Sequence, residues 1–320
     1  MILITGCAGF IGFHISKKLL LKNTKIIGID CLDNYYPKIH KRKRLNILNK
    51  NKNFKFLKID LKNFNQLKDK IKNIKVDKII HLAAQPGVRI SISKPHNTLN
   101  QNLISFSNII EIARLKKVKK FIYASSSSIY GETKVYPFNE TDYKNIPISV
   151  YGATKLSNEI IARSYSKNFK LKCIGLRFFT VYGPYGRPDM AYYSFLNKLK
   201  KNKTIDVFNR GIMKRDFTYI DDVVAGIYEV IKFKIKENFV VLNIGKGKPD
   251  NLMDLINLIQ KYYRRKFKIK FTKNIPMGDI KKTFSNVNKA KRLIKWKPAT
   301  NLDEGVSKFV KWYKKYYGIK

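Results

Sequence analysis

Just after Met1 the chain reads Ile2-Leu3-Ile4-Thr5-Gly6-Cys7-Ala8-Gly9-Phe10-Ile11-Gly12, and this stretch decides the fold. Ile2–Thr5 is a short apolar run that predicts a strand. Gly6, Gly9 and Gly12 predict a turn, and residues 10–21 carry apolar side chains at helical spacing. Strand, glycine turn and helix in that order let the chain turn tightly, bring backbone N–H groups to a pyrophosphate and seat the helix on the strand. Working outward, residues 25–30 read as a second strand ending in Asp30, eighteen residues after Gly12. A carboxylate there accepts hydrogen bonds from adenosine ribose hydroxyls and repels a 2′-phosphate, so NAD is expected rather than NADP. Phe10 and Ile11 belong to the same expected cofactor set.

Residues 54–60, 78–82, 119–125 and 172–178 read as further strands, each preceded by a helical pattern. Alternation of this kind predicts an α/β fold, a Rossmann-type doubly wound parallel sheet. Asp60 at the end of the third strand suits the adenine edge, with Leu61 beside it. Leu82, Ala83 and Ala84 end the fourth with small residues where the cofactor passes, and Phe178 ends the sixth. After about residue 180 the rhythm breaks at Gly183-Pro184-Tyr185-Gly186-Arg187-Pro188. We expect an NAD-binding domain over residues 1–177 and a smaller C-terminal α/β substrate domain over 178–320. Residues of about 217–245 are expected to return to the first domain.

The chain has 320 residues, 44% of them hydrophobic, which excludes disorder and supplies a core. It contains no run of the ~18 apolar residues that a membrane span needs, and its start lacks the features of a secretory signal. Its cysteines, Cys7, Cys31 and Cys173, are few and far apart, so no disulfide framework or metal site is expected and a reducing cytoplasm is the natural setting. The net charge of +44 admits two readings: a nucleic-acid partner, or a solvated lysine surface drawn from A/T-rich codons. Of 66 basic residues 54 are lysine, spread along the whole chain, and arginine, the better reader of bases and phosphates, is scarce; the surface reading is preferred. The densest basic run, residues 38–44 (KIHKRKR), is read the same way, as the solvated face of a helix.

Tyr151 and Lys155 stand four residues apart in a helical pattern, hence on one face. A phenol is a poor base at pH 7, and a neighbouring ammonium favours its phenolate. About 25 residues earlier, Ser125-Ser126-Ser127-Ser128 ends a strand on the edge of the sheet where ligands bind. A hydroxyl there can bond a reacting substrate oxygen. Tyr151, Lys155, Ser126 and Ser128 are the expected catalytic set.

Together these segments resemble a family. TGxxGFIG (residues 5–12), HLAA (81–84), SSSSxYG (125–131), YxxxK (151–155) and RDFTYIDD (215–222) are similar to the motifs of extended short-chain dehydrogenase/reductases that act on nucleotide sugars, over essentially the whole chain. The resemblance implies tightly held NAD, a UDP- or dTDP-sugar and Ser/Tyr/Lys catalysis. Dehydratases of the family carry Asp-Glu where this chain has Ser127 and Ser128, and decarboxylases carry Glu at Ser128. UDP-galactose 4-epimerases usually carry Asn at Thr180. Residues 177–191, 87–89 and 206–209 are instead similar to bacterial UDP-glucuronate 4-epimerases, with Tyr185 in place of the common Trp. That resemblance implies that Arg89, Thr180, Arg187, Phe208, Arg215 and Asp279 bind the substrate. Phe208 would lie near the uracil, Arg215 by the diphosphate, and Thr180 with Arg187 on a sugar carboxylate. It also implies a homodimer built on residues 97–115 and 151–168, both richer in apolar side chains than one buried stripe requires. An epimerase of a neutral UDP-hexose, and a noncatalytic nucleic-acid binder, remain the alternatives at this point.

Overall fold

Every residue of Ile2–Thr5 is buried, the mark of a strand covered on both faces. It is β1 of a computed structural model that describes residues 1–142, 146–234 and 236–319. The first half continues with β2 (Ile26–Asp30), β3 (Phe54–Lys58), β4 (Lys78–His81), β5 (Lys120–Ser126) and β6 (Cys173–Phe178). The second half adds β7 (Thr180–Tyr182), β8 (Ile205–Val207), β9 (Lys214–Arg215), β10 (Phe217–Tyr219), β11 (Phe239–Ile244), β12 (Asp250–Asn251) and β13 (Ile269–Phe271). Seven of them form one sheet in the order β11-β6-β5-β4-β1-β2-β3. All neighbours run parallel, with Ile2 opposite both Ile26 and Lys78, and Phe239 opposite Cys173. The Rossmann-type sheet read from the strand and helix rhythm is therefore present.

The two faces of the sheet are filled by alternate residues of the same strands. Leu3, Ile27, Ile79, Phe121 and Cys173 pack on one side with Phe106, Ile109 and Ile110. Ile4, Ile26, Ile80, Ile122 and Ile174 pack on the other. The second side is continuous with side chains from the C-terminal half, including Trp296, Phe309 and Tyr313. The halves thus share a core, and β11 enters the sheet from beyond the break in rhythm. Outside the sheet β7 pairs with β10, β9 with β12, and β8 with β13.

Asp216 joins these small pieces. Its buried carboxylate accepts from Ser285 Oγ and N, Thr218 Oγ1, and the N–H groups of Lys246 and Gly247. Burial raises its pKa and these donors oppose the rise.

Two readings of surface are corrected. Helix Lys38–Leu48 buries Lys41 and Arg44 beside Leu45 and Leu48, so residues 38–44 are not a wholly solvated face. Phe106, Ile109, Ile110 and Ile112 belong to the core, so they are not spare apolar surface for a partner. Leu99, Ile104 and Ile160 remain exposed there.

Candidate functional site

The glycine turn is packed too tightly for side chains at its ends. Gly6 has φ +70°, and a Cβ on it would stand 2.7 Å from the Ala83 nitrogen. A Cβ on Gly12 would stand 2.0 Å from the Gly6 carbonyl oxygen. Strand β1, the turn and the end of β4 therefore meet in direct backbone contact, at the carboxyl ends of the parallel strands.

A cavity of about 480 Å³ opens there. Its wall includes Gly6, Gly9, Phe10, Ile11, Gly12, Asp30, Asp60, Leu61, Leu82, Ala83, Ala84, Tyr151, Lys155 and Phe178, which is the whole expected cofactor set. Asp30 is buried at the end of β2. It accepts from Ala8 N at 3.2 Å and Leu32 N at 2.8 Å. Burial raises its pKa, and Lys41 Nζ, 3.8 Å away, opposes that. Lys41 also pairs with Asp33 at 2.6 Å, so the trio keeps one net negative charge. The ligand atoms of Asp30, Cys31 and Asp33 lie within 4.8 Å of one another, but the Lys41 ammonium already stands against both acids.

Helix Val150–Phe169 presents Tyr151 and Lys155 to the cavity. Ser149 starts this helix by accepting from Gly152 N at 3.0 Å. Lys155 is buried, donates to Ala124 O at 3.1 Å, and stands 5.9 Å from the Tyr151 ring. Burial lowers its pKa to about 8. Burial raises that of Tyr151, while a hydrogen bond with Ser126 and the charge of Arg187 pull it down. Ser126 lies in the cavity wall. Ser128 does not, but its Oγ accepts from Ser126 Oγ at 3.2 Å. Behind this set Glu159, one turn past Lys155, takes Arg177 Nε and Nη2 at 3.0 and 2.8 Å and Ser125 Oγ at 2.5 Å. Arg177 in turn donates to Tyr130, which donates to Asn243. This buried network binds the helix of Tyr151 and Lys155 to β5, β6 and β11, and no local sequence pattern announces it.

Of the expected substrate residues only Arg187 lines the cavity. Arg89, Thr180, Phe208, Arg215 and Asp279 lie outside its wall. Four of them form two pairs: the Arg89 guanidinium lies 5.2 Å from the Phe208 ring, and Arg215 pairs with Asp279 at 2.6 Å. The pairs adjoin, since a Cβ on Gly278 would stand 2.7 Å from Val88. Gly87, two residues before Arg89, stands beside Arg187: a Cβ on it would lie 3.7 Å from Arg187 Nη2. Thr180 opens β7, its N–H bonded to Asp216 O at 3.1 Å. The sequence reading missed Lys41, Arg44, Tyr35 and Asp189. For Lys41 and Arg44 a signal existed: they share the i, i+3, i+4, i+7 stripe of Leu45 and Leu48.

The family described as GDP-mannose 4,6 dehydratase matches residues 3–309. Protein CapI of Staphylococcus aureus is 40% identical, over 99% of this chain and 99% of that protein. UDP-glucuronate 4-epimerase 4 of Arabidopsis thaliana is 37% identical, over 99% of this chain and 76% of its own length. The crystal structure of UDP-glucuronic acid 4-epimerase from Bacillus cereus, in complex with UDP-glucuronic acid and NAD, superposes with a TM-score of 0.90 at 34% identity, covering 99% of both chains. With the glycine turn, the Tyr151–Lys155 helix and the serine strand end in their expected places, the chain belongs to the nucleotide-sugar epimerases and dehydratases, extended short-chain dehydrogenase/reductases.

Proposed function

We propose that this protein interconverts UDP-glucuronate and UDP-galacturonate by inverting C4 of the sugar. The observation that carries the reading is Arg187 in the wall of the cavity that also holds Tyr151, Lys155 and Ser126. A guanidinium suits a substrate with a carboxylate next to its reacting carbon.

The cofactor is NAD, and the residues present fit it. The glycine turn lines the cavity and offers its backbone to a pyrophosphate, Asp30 keeps a buried carboxylate at the ribose end, and Lys155 has one protein acceptor among the described residues for its three protons. Held by these residues, NAD would supply a reversible acceptor for the C4 hydrogen and its electron pair.

Tyr151 acts as the base that removes the O4 proton and later gives it back. Lys155, cationic below about pH 8, favours the phenolate. Ser126, its Oγ held by the Ser128 N–H, turns its one proton from Ser128 Oγ to O4 as O4 becomes a ketone. The 4-keto sugar is a β-keto acid, and it loses CO₂ when the bond to its carboxylate stands perpendicular to the carbonyl plane. Arg187 and Thr180 hold the carboxylate away from that geometry. Phe208 and Arg89 receive the uracil, and Arg215, steadied by Asp279, faces the diphosphate.

Comparing kcat/KM for UDP-glucuronate and UDP-glucose tests the reading. A preference for the uronate of about 10-fold or more is expected from one charge-assisted contact. A preference for UDP-glucose contradicts it.

A further inference from the structure

Residues 183–190 carry Arg187 and are fastened to the nucleotide side of the cavity at three points. His14 Nε2 meets Pro184 O at 2.9 Å. Arg44 donates through Nη2 to Tyr185 O at 2.6 Å and Gly186 O at 3.1 Å, and through Nη1 to Ala8 O, inside the glycine turn, at 2.9 Å. Tyr35, from the loop after β2, donates its hydroxyl to Asp189 Oδ2 at 2.8 Å.

The third fastening reaches Arg187 itself. Asp189 accepts Arg187 Nε at 3.1 Å and Nη2 at 2.5 Å, and the guanidinium carbon stands 5.7 Å from the centre of the Tyr35 ring. One edge of the planar fork is thereby fixed. The other edge, at Nη1, has no protein acceptor among the described residues, and Arg187 lines the cavity it shares with Tyr151. Asp189 does not line that cavity, whereas Tyr35 does. A carboxylate that holds one edge of an arginine and keeps the second edge aimed elsewhere is a positioning group.

We propose that Tyr35 and Asp189 are specificity-determining positioning residues, which hold Arg187 by its Nε edge so that its Nη1 edge meets the substrate's carboxylate. The inference rests on the uronate reading above. Tyr35 stands in the cofactor-side wall, so the order of that wall sets the aim of the arginine. With the aim lost, the ring of the 4-keto uronate gains freedom to bring its C5–C6 bond perpendicular to the carbonyl plane. The C5–C6 bond then breaks, its electron pair moves through C5 to the C4 oxygen as an enolate, CO₂ leaves, and a solvent proton adds at C5.

The test compares wild type with Tyr35→Phe, which removes one hydroxyl from a partly exposed ring, and with Asp189→Asn. Each is given UDP-glucuronate and, separately, UDP-glucose, and the products are resolved by NMR. Both variants should bind NAD like wild type, as measured by cofactor content after gel filtration. The decarboxylated share of the uronate product should rise about 10-fold, the scale on which misplaced groups act, while UDP-glucose turnover stays within about 2-fold. Equal slowing of both substrates with an unchanged product ratio overturns the proposal and leaves Tyr35 and Asp189 structural. Wild type inactive on UDP-glucuronate overturns the uronate reading and this inference with it. Wild type active and variants unchanged in ratio overturns this inference alone.

Discussion

Replacing Lys155 with Met should make the NAD-free protein more stable while abolishing turnover. Burial of the ammonium lowers its pKa from 10.5 to about 8. At about 1.4 kcal/mol per unit, the charged group costs the fold about 3 kcal/mol. Met has nearly the same shape and no charge to bury. It leaves Ala124 O without the Lys155 donor, a loss of about 1 kcal/mol, so a net gain of about 2 kcal/mol remains. In a chain of this size that is roughly 3 °C in Tm. The folded pKa lies below the unfolded one, so the cost is complete below about pH 8 and fades as pH rises towards 10.5. Thermal unfolding followed by circular dichroism between pH 7 and 10.5 should therefore show the gap closing and then reversing, as the charge cost fades and the lost hydrogen bond to Ala124 remains. A wild type more stable than Lys155→Met at pH 7, or a gap that does not change with pH, refutes the argument that a desolvated ammonium is held in the site.

Four further outcomes are expected. Tyr151→Phe should keep fold and cofactor and lose ~10²-fold or more in kcat, since a positioned proton acceptor contributes ~10²–10⁴; near-normal kcat removes Tyr151 from the proposed mechanism. Asp30→Ala should weaken NAD binding in titration calorimetry and narrow its advantage over NADP, by leaving Lys41 to balance Asp33 alone; unchanged selectivity moves discrimination elsewhere. Arg187→Ala should cost UDP-glucuronate turnover roughly 10–150-fold and UDP-glucose turnover far less; equal losses on both would make Arg187 a diphosphate or structural residue. We expect a homodimer through the exposed Leu99, Ile104 and Ile160, so Ile160→Glu should give monomers in light scattering at micromolar protein, and a monomeric wild type defeats the assignment.

Most of the expected cofactor residues were legible because they sit at a strand end or in the glycine turn, places that local pattern marks. Asp30 and Asp60 needed only the ends of β2 and β3 to be found, and Tyr151 with Lys155 only helical spacing. The fastenings were not legible, because they join residues far apart in sequence. Arg44 meets Tyr185, Tyr35 meets Asp189, and Glu159 meets Arg177, each across two different elements or loops. Charge misled at residues 38–44: a basic run suggests solvent, yet Lys41 and Arg44 lie on the helix face that Leu45 and Leu48 turn inward. Apolar richness misled at Phe106 and Ile109, where a helix packed on the broad sheet buries more than one stripe.

The most direct test of the central claim is proton NMR of UDP-glucuronate incubated with the purified protein and NAD in D₂O. The account predicts that signals of UDP-galacturonate grow to a steady ratio, with the hydrogen at C4 retained and no net change in cofactor. Absence of the epimer, or deuterium appearing at C4, contradicts it.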